Sequence, residues 1–231
     1  MDVVAGEAKL LPNSQVEISG EIHEATDILL CTGSSPAIPP IPGVDLENVV
    51  DSSGILIRET LPNHLVVVGG GVIGCEFACM YASVGVPVTV LEAMPEICPN
   101  LDTEISASLR EGLAKKGVSF ILEAKVESIR ADRVSYVDDS GTNELEADLV
   151  LVATGRRPNT ENLGLEELGL DIDDRGGVRV DSRGATNIPG LWAAGDVTGE
   201  AWLAHAASRM AEVVVNNITG RKDHMLSLIH I

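Results

Sequence analysis

A glycine-rich turn is the first feature of this sequence that could do chemistry. Residues 65–77 read LVVVGGGVIGCEF, in which Gly69, Gly71 and Gly74 have the spacing G-x-G-x-x-G between an apolar run and a helix-forming segment. In this pattern the first glycine makes a tight turn, the second lets a pyrophosphate approach bare backbone, and the third lets the helix pack on the strand. The helix N-terminus attracts the negative charge. The turn therefore predicts a bound dinucleotide.

An acidic residue at the end of the next strand indicates which dinucleotide. Glu92 follows the apolar run 86–91, at roughly the 20-residue distance that this fingerprint requires. A carboxylate there accepts hydrogen bonds from ribose hydroxyls and repels a 2′-phosphate, and no arginine follows in LEAMPEIC. The pair predicts NAD rather than NADP. The alternative is a structural strand–helix turn that ends in an exposed glutamate.

Three further strand ends could bind a ligand. LLCTG (29–33) and LVATG (151–155) place Thr-Gly after an apolar strand, and LWAAGD (191–196) places Asp196 there. The carboxyl ends of parallel strands are where α/β proteins bind ligands. Asp196 could accept hydrogen bonds from a polyol or ribose, or it could be a turn or N-cap aspartate.

Alternating strands and helices predict an α/β fold on a parallel sheet. The first thirty residues read as half-buried strands, and SSPAIPPIPGVD (34–45) reads as an extended connector. Buried strands are predicted at 65–68, 86–91, 147–153 and 190–194, and further strands at 118–122, 124–130 and 133–137.

Three helices are predicted between and after these strands. The first should bury Ile73, Phe77, Met80 or Tyr81, and Val84. The second should be capped by Asp102 and should bury Ile105, Leu109 and Leu113. The last should run over 203–219.

Composition argues against several classes of function. The formal net charge is −19, which disfavours binding to nucleic acid or to anionic membrane surfaces. No apolar run is long enough to span a bilayer, and the start has no signal-peptide pattern, so a cytoplasmic protein is expected. Four cysteines are too few for a disulfide scaffold.

The motifs together resemble a known family. The order TGSSP, VVVGGGVIGCE, VLEA, ATGRRPN, LGLEELGL, GLWAAGDV, LAHAA is similar to that of the flavin- and NAD-dependent disulfide reductases, and among them to the dihydrolipoyl dehydrogenases. The resemblance implies a Rossmann-like NAD-binding domain inserted in an FAD-binding domain, with FAD and NAD as cofactors. By motif, 1–60 is the later part of the FAD domain, 61–156 the NAD domain and 157–225 the returning FAD segment.

The resemblance also assigns roles to individual residues. Glu76 resembles the glutamate that pairs with a lysine beside the flavin; the alternative is a first-turn carboxylate favoured by the helix dipole. The implied NAD contacts are Gly69, Gly70, Gly71, Val72, Ile73, Gly74, Glu76, Glu92, Val126 and Gly155. The implied FAD contacts are Thr32, Gly33, Ser34, Gly195, Asp196, Trp202, Leu203, Ala204 and His205.

Some of the family pattern is not in this sequence. The N-terminal FAD fingerprint, the Cys-x4-Cys redox pair and the C-terminal domain with its His–Glu acid–base pair do not occur. Cys75 and Cys79 share a helix face and are interpreted as space-filling thiols rather than a redox centre; Cys31 is placed in a strand and Cys98 in a loop, and neither has a nearby base. No histidine spacing, including that of His23, His64 and His224, predicts a metal site.

These differences lead to expectations about the whole protein. The chain is expected to be a piece of a longer gene product, and its last six residues, LSLIHI (226–231), to be non-native. The parent would be a homodimer that passes electrons between a dithiol such as dihydrolipoamide, FAD and NAD. A mercuric or glutathione-type reductase, and a nucleotide-binding fragment without turnover, remain as alternatives.

Overall fold

The computed structural model describes residues 1–225, so the prediction for LSLIHI lies outside the described residues. The strands are β1 (Ala8–Leu11), β2 (Gln15–Ile18), β3 (Glu21–Glu24), β4 (Ile28–Leu30), β5 (Ser34–Pro36), β6 (Val49–Val50), β7 (Leu65–Val68), β8 (Val88–Leu91), β9 (Val118–Ile121), β10 (Lys125–Ile129), β11 (Arg133–Asp138), β12 (Gly141–Glu146), β13 (Leu149–Val152), β14 (Arg156–Pro158) and β15 (Leu191–Ala193). The α-helices are α1 (Val72–Ser83), α2 (Thr103–Ala114) and α3 (Ala204–Ile218), and short 3-10 helices lie at Ile55–Ile57 and Asp196–Thr198.

The chain divides into two compact units. Of the described residues, the first unit contains Met1–Ser35 and residues 157–225, and the second unit is Pro36–Arg156. The second unit starts earlier than the boundary at residue 61 that the sequence suggests, because β6 pairs with β13 and joins the same sheet. The nucleotide that each unit binds stays a prediction.

A parallel sheet of five strands lies at the centre of the second unit. Its order is β6-β13-β7-β8-β9, and each neighbouring pair is parallel. The central strands LVLV, LVVV and VTVL are buried at every residue, as expected of a parallel sheet covered on both faces. The predicted α/β fold class is confirmed.

An antiparallel sheet of three strands, β10-β11-β12, completes the second unit. The sequence patterns predicted β10 and β11 but not β12. Its sequence, GTNELE, alternates between half-buried and exposed positions and has one large apolar residue, Leu145, so hydrophobic periodicity gives no signal.

The buried face of α1 agrees with the prediction in part. Tyr81, predicted as the alternative to Met80, is buried, and Ile73 and Phe77 are half-buried against the core. Met80 and Val84 are exposed, at 46% and 57%, so the predicted burial of Val84 was wrong. Gly74, Cys75 and Ala78, which were not predicted, are also buried, and their small size lets the helix lie close to the sheet.

Helix α2 confirms the predicted cap and corrects the predicted stripe. Asp102 accepts a hydrogen bond from the Glu104 N–H at 2.9 Å. Leu113 is buried, but Ile105 and Leu109 are 60% and 38% exposed, so their predicted burial was wrong. The helix packs on β9, the outermost strand of the sheet. This strand covers only a narrow stripe of the helix surface.

The first unit is built from a small meander and a parallel strand pair. Strands β1, β2 and β3 form an antiparallel sheet, and β4 pairs in parallel with β15. Leu30 and Leu191 from that pair share a core with Leu10, Leu165 and Val178. Among residues 1–225, no helix has both the length and the apolar composition needed to cross a bilayer.

Candidate functional site

The glycine turn lies at the carboxyl end of β7 and is held tightly against its neighbours. Gly69 has φ +108°, and a Cβ there would lie 2.6 Å from the carbonyl oxygen of Ala153, which follows β13. A Cβ on Gly74 would overlap the carbonyl oxygen of Gly69. The strand end and the start of α1 therefore approach each other at a distance that only glycine permits.

The N-terminus of α1 is open to an anion. Gly71 is its N-cap and provides no side-chain hydrogen bond, and the first turn carries no acidic residue. A Cβ on Gly71 would meet no atom within 4 Å, so the space in front of the turn is clear. Unpaired N–H groups at a helix N-terminus, together with the helix dipole, attract phosphate.

The carboxylate of Glu92 lies against the turn. Its Oε2 accepts the Gly70 N–H at 2.5 Å, and its Oε1 accepts the Met94 N–H at 2.8 Å. The residue is 8% exposed, so the alternative of an exposed terminal glutamate is wrong. Each carboxylate oxygen has two lone pairs, which leaves acceptor capacity for hydroxyl groups.

The Gly70 carbonyl is also held, by residues that the sequence analysis did not assign to the nucleotide site. The Gly70 carbonyl oxygen accepts the Cys98 N–H at 2.9 Å, the Cys75 thiol at 3.3 Å and the Cys98 thiol at 3.7 Å. Cys98 has φ +46°, unusual for a residue other than glycine. No local pattern relates Cys98 to Gly70, because only the tertiary fold brings the loop after β8 to the turn.

The remaining predicted NAD contacts lie in different environments. Gly155 is exposed and follows β13, the strand beside β7. Val126 has its side chain in a hydrophobic core, while the nearby Ala124 N–H donates to the Glu92 carbonyl at 2.9 Å. Val72 is exposed and Ile73 half-buried at the start of α1. Their contacts with a nucleotide stay predictions.

Glu76 is exposed on α1. It lies beyond the first turn, which has no acidic residue, so the reading of Glu76 as a first-turn carboxylate is wrong. Its pairing with a lysine beside a flavin stays a prediction.

Two of the predicted FAD residues meet in the first unit. Because β4 and β15 are parallel neighbours, the turns after them lie side by side, and the Ala194 N–H donates to the Leu30 carbonyl at 3.0 Å. The Ser34 hydroxyl donates to Asp196 Oδ2 at 2.6 Å. A carboxylate and a hydroxyl at adjacent strand ends can bind a polyol chain.

Asn159, from the segment GRRPN, clamps the loop after β4. Its side-chain amide donates to the Thr32 carbonyl at 2.8 Å and its Oδ1 accepts the Ser35 hydroxyl at 2.8 Å. Its N–H donates to the Gly33 carbonyl at 2.9 Å, and its carbonyl accepts the Thr32 hydroxyl at 2.7 Å. The motif ATGRRPN is part of the family resemblance, but Asn159 was not among the predicted site residues.

The predicted FAD residues near the last helix are exposed. Trp202 and Leu203 are 37% and 51% exposed, and Ala204 and His205 occupy the exposed first turn of α3. The N-cap, Leu203, provides no side-chain hydrogen bond, so this N-terminus also has donors to offer. Gly195 is buried, and a Cβ there would lie 3.3 Å from Ala207 of α3.

The four cysteines are free thiols in different surroundings. Cys31 lies just after β4 and is exposed as a residue. Partial burial of its thiol raises the pKa of that thiol above its usual value. Cys75 and Cys98 are buried, and Cys79 is half-buried with its sulfur 3.5 Å from Lys116 Nζ. Across residues 1–225, no group of three His, Cys, Asp or Glu side chains has the arrangement of a metal site.

Comparison with known proteins identifies the family. Residues 1–211 match the family described as pyridine nucleotide-disulphide oxidoreductase. The chain belongs to this family. A protein named dihydrolipoyl dehydrogenase from Chlamydia trachomatis is 37% identical over 230 residues, which are 96% of this chain and 49% of that protein. Dihydrolipoyl dehydrogenase 3 from Pseudomonas putida is 44% identical over 206 residues, 86% of this chain and 44% of that protein.

Solved structures agree with the family. The HOCl-induced flavoprotein disulfide reductase RclA from Escherichia coli matches with a TM-score of 0.87 and 35% identity, over 96% of this chain and 52% of that one. LpdA from Mycobacterium tuberculosis matches with a TM-score of 0.87 and 30% identity, over 99% of this chain and 52% of that one. The chain therefore spans about half the length of the relatives it matches.

FAD and NAD are the cofactors of this family. The residues of the second unit fit a dinucleotide, because the uncapped α1 N-terminus, the clear space at Gly71 and the Glu92 carboxylate lie on one turn. In the first unit, Asp196 and Ser34 fit a polyol such as the ribityl chain of a flavin.

Proposed function

We propose that this chain carries the NAD site and part of the FAD site of a flavin-dependent disulfide oxidoreductase of the dihydrolipoyl dehydrogenase type. The observation that carries the proposal is the buried Glu92 carboxylate bonded to Gly70 in the glycine turn. It puts a hydroxyl acceptor beside an anion-binding helix end, the combination that a dinucleotide with a free ribose requires.

In the proposed NAD site, the chain's residues bind and orient. The α1 N-terminus holds the pyrophosphate through backbone N–H groups, and Glu92 accepts the ribose hydroxyls and excludes a 2′-phosphate by charge. When bound, NAD supplies a nicotinamide that accepts hydride. The residues of the turn thus fix the position of the ring rather than take part in bond breaking.

In the proposed FAD site, Asp196 and Ser34 bind the ribityl hydroxyls. The segment Thr32–Ser35, which leads into β5, is fixed by Asn159, and the exposed N-terminus of α3 at Trp202–His205 offers donors to a phosphate. Glu76 is proposed to pair with a lysine beside the flavin.

For the longer protein, we propose a dithiol of the lipoyl type as electron donor, a homodimer as assembly and the cytoplasm as location. The 231 residues contain no Cys-x4-Cys pair, so turnover is proposed for the longer protein and not for this chain alone. The alternatives are a mercuric or glutathione-type reductase; Glu92 disfavours those that use NADP.

A charge reversal at Glu92 tests the proposal. Glu92→Arg should weaken NADH binding and shift the NADH:NADPH affinity ratio towards NADPH by at least about tenfold, or roughly 1.4 kcal/mol. The ratio is the readout, because the substitution also removes the acceptor of the Gly70 N–H and so weakens both ligands. Fluorescence titration with each nucleotide measures it, with Glu104→Arg on α2 as a control of equal charge change. An unchanged ratio in a folded variant would contradict the ribose role.

A further inference from the structure

Two buried thiols converge on one carbonyl oxygen beneath the glycine turn. Cys75 lies in the first part of α1 and Cys98 in the loop after β8, and both thiols donate to the Gly70 carbonyl, at 3.3 and 3.7 Å. Their backbones are anchored at the same place: the Cys98 N–H donates to the Gly70 carbonyl and the Cys75 N–H to the Gly71 carbonyl, both at 2.9 Å. The two sulfur atoms are therefore neighbours in the fold.

The surroundings shield both thiols and keep the Cys75 thiol protonated. Cys75 is 5% exposed and Cys98 is 4% exposed, so bulky or charged reagents cannot reach either sulfur. Burial, then the charge and hydrogen bonding of Cys98, and then the charges of Glu92 and Glu76 raise the pKa of Cys75 to about 12. The Cys75 thiol thus keeps its hydrogen at neutral pH.

We propose that Cys75 and Cys98 are a modification site, a dithiol that hydrogen peroxide converts into a disulfide that weakens the nucleotide-binding turn. A small neutral oxidant is required by the burial of both sulfurs. Cys79, the other cysteine on α1, takes no part: it is half-buried, and its sulfur accepts a hydrogen bond from Lys116 Nζ at 3.5 Å instead of contacting Gly70.

The chemistry balances with one peroxide molecule. The thiolate of one cysteine attacks a peroxide oxygen, the O–O bond breaks, and a sulfenic acid and one water form. The sulfur of the second cysteine then attacks the sulfenic sulfur, the S–O bond breaks, and the disulfide and a second water form. Two thiols are oxidised to one disulfide, and the peroxide is reduced to two waters.

The effect on the turn follows from the hydrogen bonds that the reaction removes. The Gly70 carbonyl loses both S–H donors and keeps only the Cys98 N–H, while the Gly70 N–H remains on Glu92. The turn beside the proposed ribose acceptor, Glu92, is therefore held less tightly. The expected weakening of NADH binding rests on the proposed function, whereas the formation of the disulfide does not.

The experiment uses the full chain with the substitutions C31S and C79S, so that Cys75 and Cys98 are its only thiols. After treatment with hydrogen peroxide, peptide mass spectrometry without reductant should show a Cys75–Cys98 linked pair, lighter by two hydrogen atoms and released by dithiothreitol. The rate of disulfide formation should rise with pH, because the attacking species is a thiolate, and burial, Cys98, Glu92 and Glu76 oppose the ionisation of Cys75 at neutral pH. The unsubstituted chain, digested in the same way, should give the same linked pair.

NADH titration provides the second readout. The dissociation constant should rise at least about fivefold on oxidation, the equivalent of one lost hydrogen bond, and return with dithiothreitol. Cys75→Ser and Cys98→Ser on the same background keep a donor to Gly70 and cannot form the link, so peroxide should not change their NADH affinity.

Four results would overturn the proposal. Separate sulfinic acids or a Cys75–Cys79 link in the unsubstituted chain would refute the pair, and a linked pair with unchanged NADH affinity would refute the switch. If the untreated folded chain binds no NADH, the proposed function fails and the switch fails with it, while the linked peptide still decides whether the pair exists.

Discussion

At the scale of single residues, the structure centres on the peptide of Gly70. Its N–H is held by Glu92, its carbonyl by the backbone and thiol of Cys98 and the thiol of Cys75. A turn fixed on both sides is preorganised for a ligand, because little ordering remains to oppose binding. This turn is the one that LVVVGGGVIGCEF predicts, and two of the residues that hold it, Glu92 and Cys98, come from elsewhere in the chain.

Gly74 should be intolerant of any side chain. A Cβ there overlaps the Gly69 carbonyl, so Gly74→Ala should lower the free energy of unfolding by about 1–3 kcal/mol. Urea denaturation measures the change. Gly112→Ala on α2, where a Cβ meets nothing within 4 Å, is the matched control and should be neutral or stabilising. Equal stability of the two variants would refute the close packing of α1 on β7.

Asp148 should contribute a stability that disappears in acid. Burial raises its pKa, but hydrogen bonds from the Asn63 and His64 N–H groups outweigh this and hold the pKa below its usual value. A carboxyl group whose pKa is lowered on folding stabilises the folded state at pH values above its pKa in the unfolded chain, about 3.9 for aspartate. That stabilisation is lost as the pH falls through the pKa of the folded state.

The comparison is with Asp148→Asn. The wild type should be more stable at pH 7 by less than about 1 kcal/mol, since the group is exposed, and the difference should vanish towards pH 3. Urea midpoints at pH 7, 4 and 3 measure it, with Asp139→Asn as the surface control. A difference that grew in acid would contradict the sign.

At the scale of elements, buried strands were predictable and helix faces were not. LVVV, VTVL and LVLV lie fully inside the sheet, so their composition alone marks them. The face that a helix buries depends on what lies beside it. The pattern in α2 predicted a broad buried face, but the helix lies on the outermost strand, β9. Helix α1 buries the predicted Tyr81 together with small residues that the pattern did not mark.

The corrected face of α2 has a measurable consequence. Leu113→Ala should cost about 2–5 kcal/mol of unfolding free energy, because it leaves a cavity in the core. Ile105→Ala, at a position 60% exposed, should cost less than about 0.5 kcal/mol. Thermal or urea unfolding distinguishes them. Similar losses of unfolding free energy for the two variants would mean that Ile105 is buried with Leu113, as the sequence pattern predicted.

The site shows a similar division between what sequence could and could not predict. Glycine spacing and the acid after β8 are local in sequence and were readable, as was the Thr-Gly after β4. The fold brings Cys98 to Gly70 and Asn159 to Thr32 from distant segments of the chain. No sequence periodicity connects the members of either pair. Residues that hold a site in place are therefore harder to predict than those that would touch the ligand.

At the scale of the whole molecule, the chain provides two nucleotide-site candidates on two compact units. The turn after β7 belongs to Pro36–Arg156, and the Ser34–Asp196 pair belongs to the other unit. The chain spans about half the length of the relatives it matches. The proposed NAD site is the candidate whose glycine turn, helix N-terminus and acidic residue all lie in one unit.

The most direct test is an NADH fluorescence titration of the chain and its Gly71→Ala variant. Gly71 has φ −71° and clear space in front of it, so alanine should fold with a stability change below about 1 kcal/mol. Its methyl group would occupy the space of the pyrophosphate, and the NADH dissociation constant should rise by at least about tenfold. Gly112→Ala should bind like the unchanged chain. Saturable binding that Gly71→Ala weakens supports the account; equal binding by both, or none by the folded chain, contradicts it.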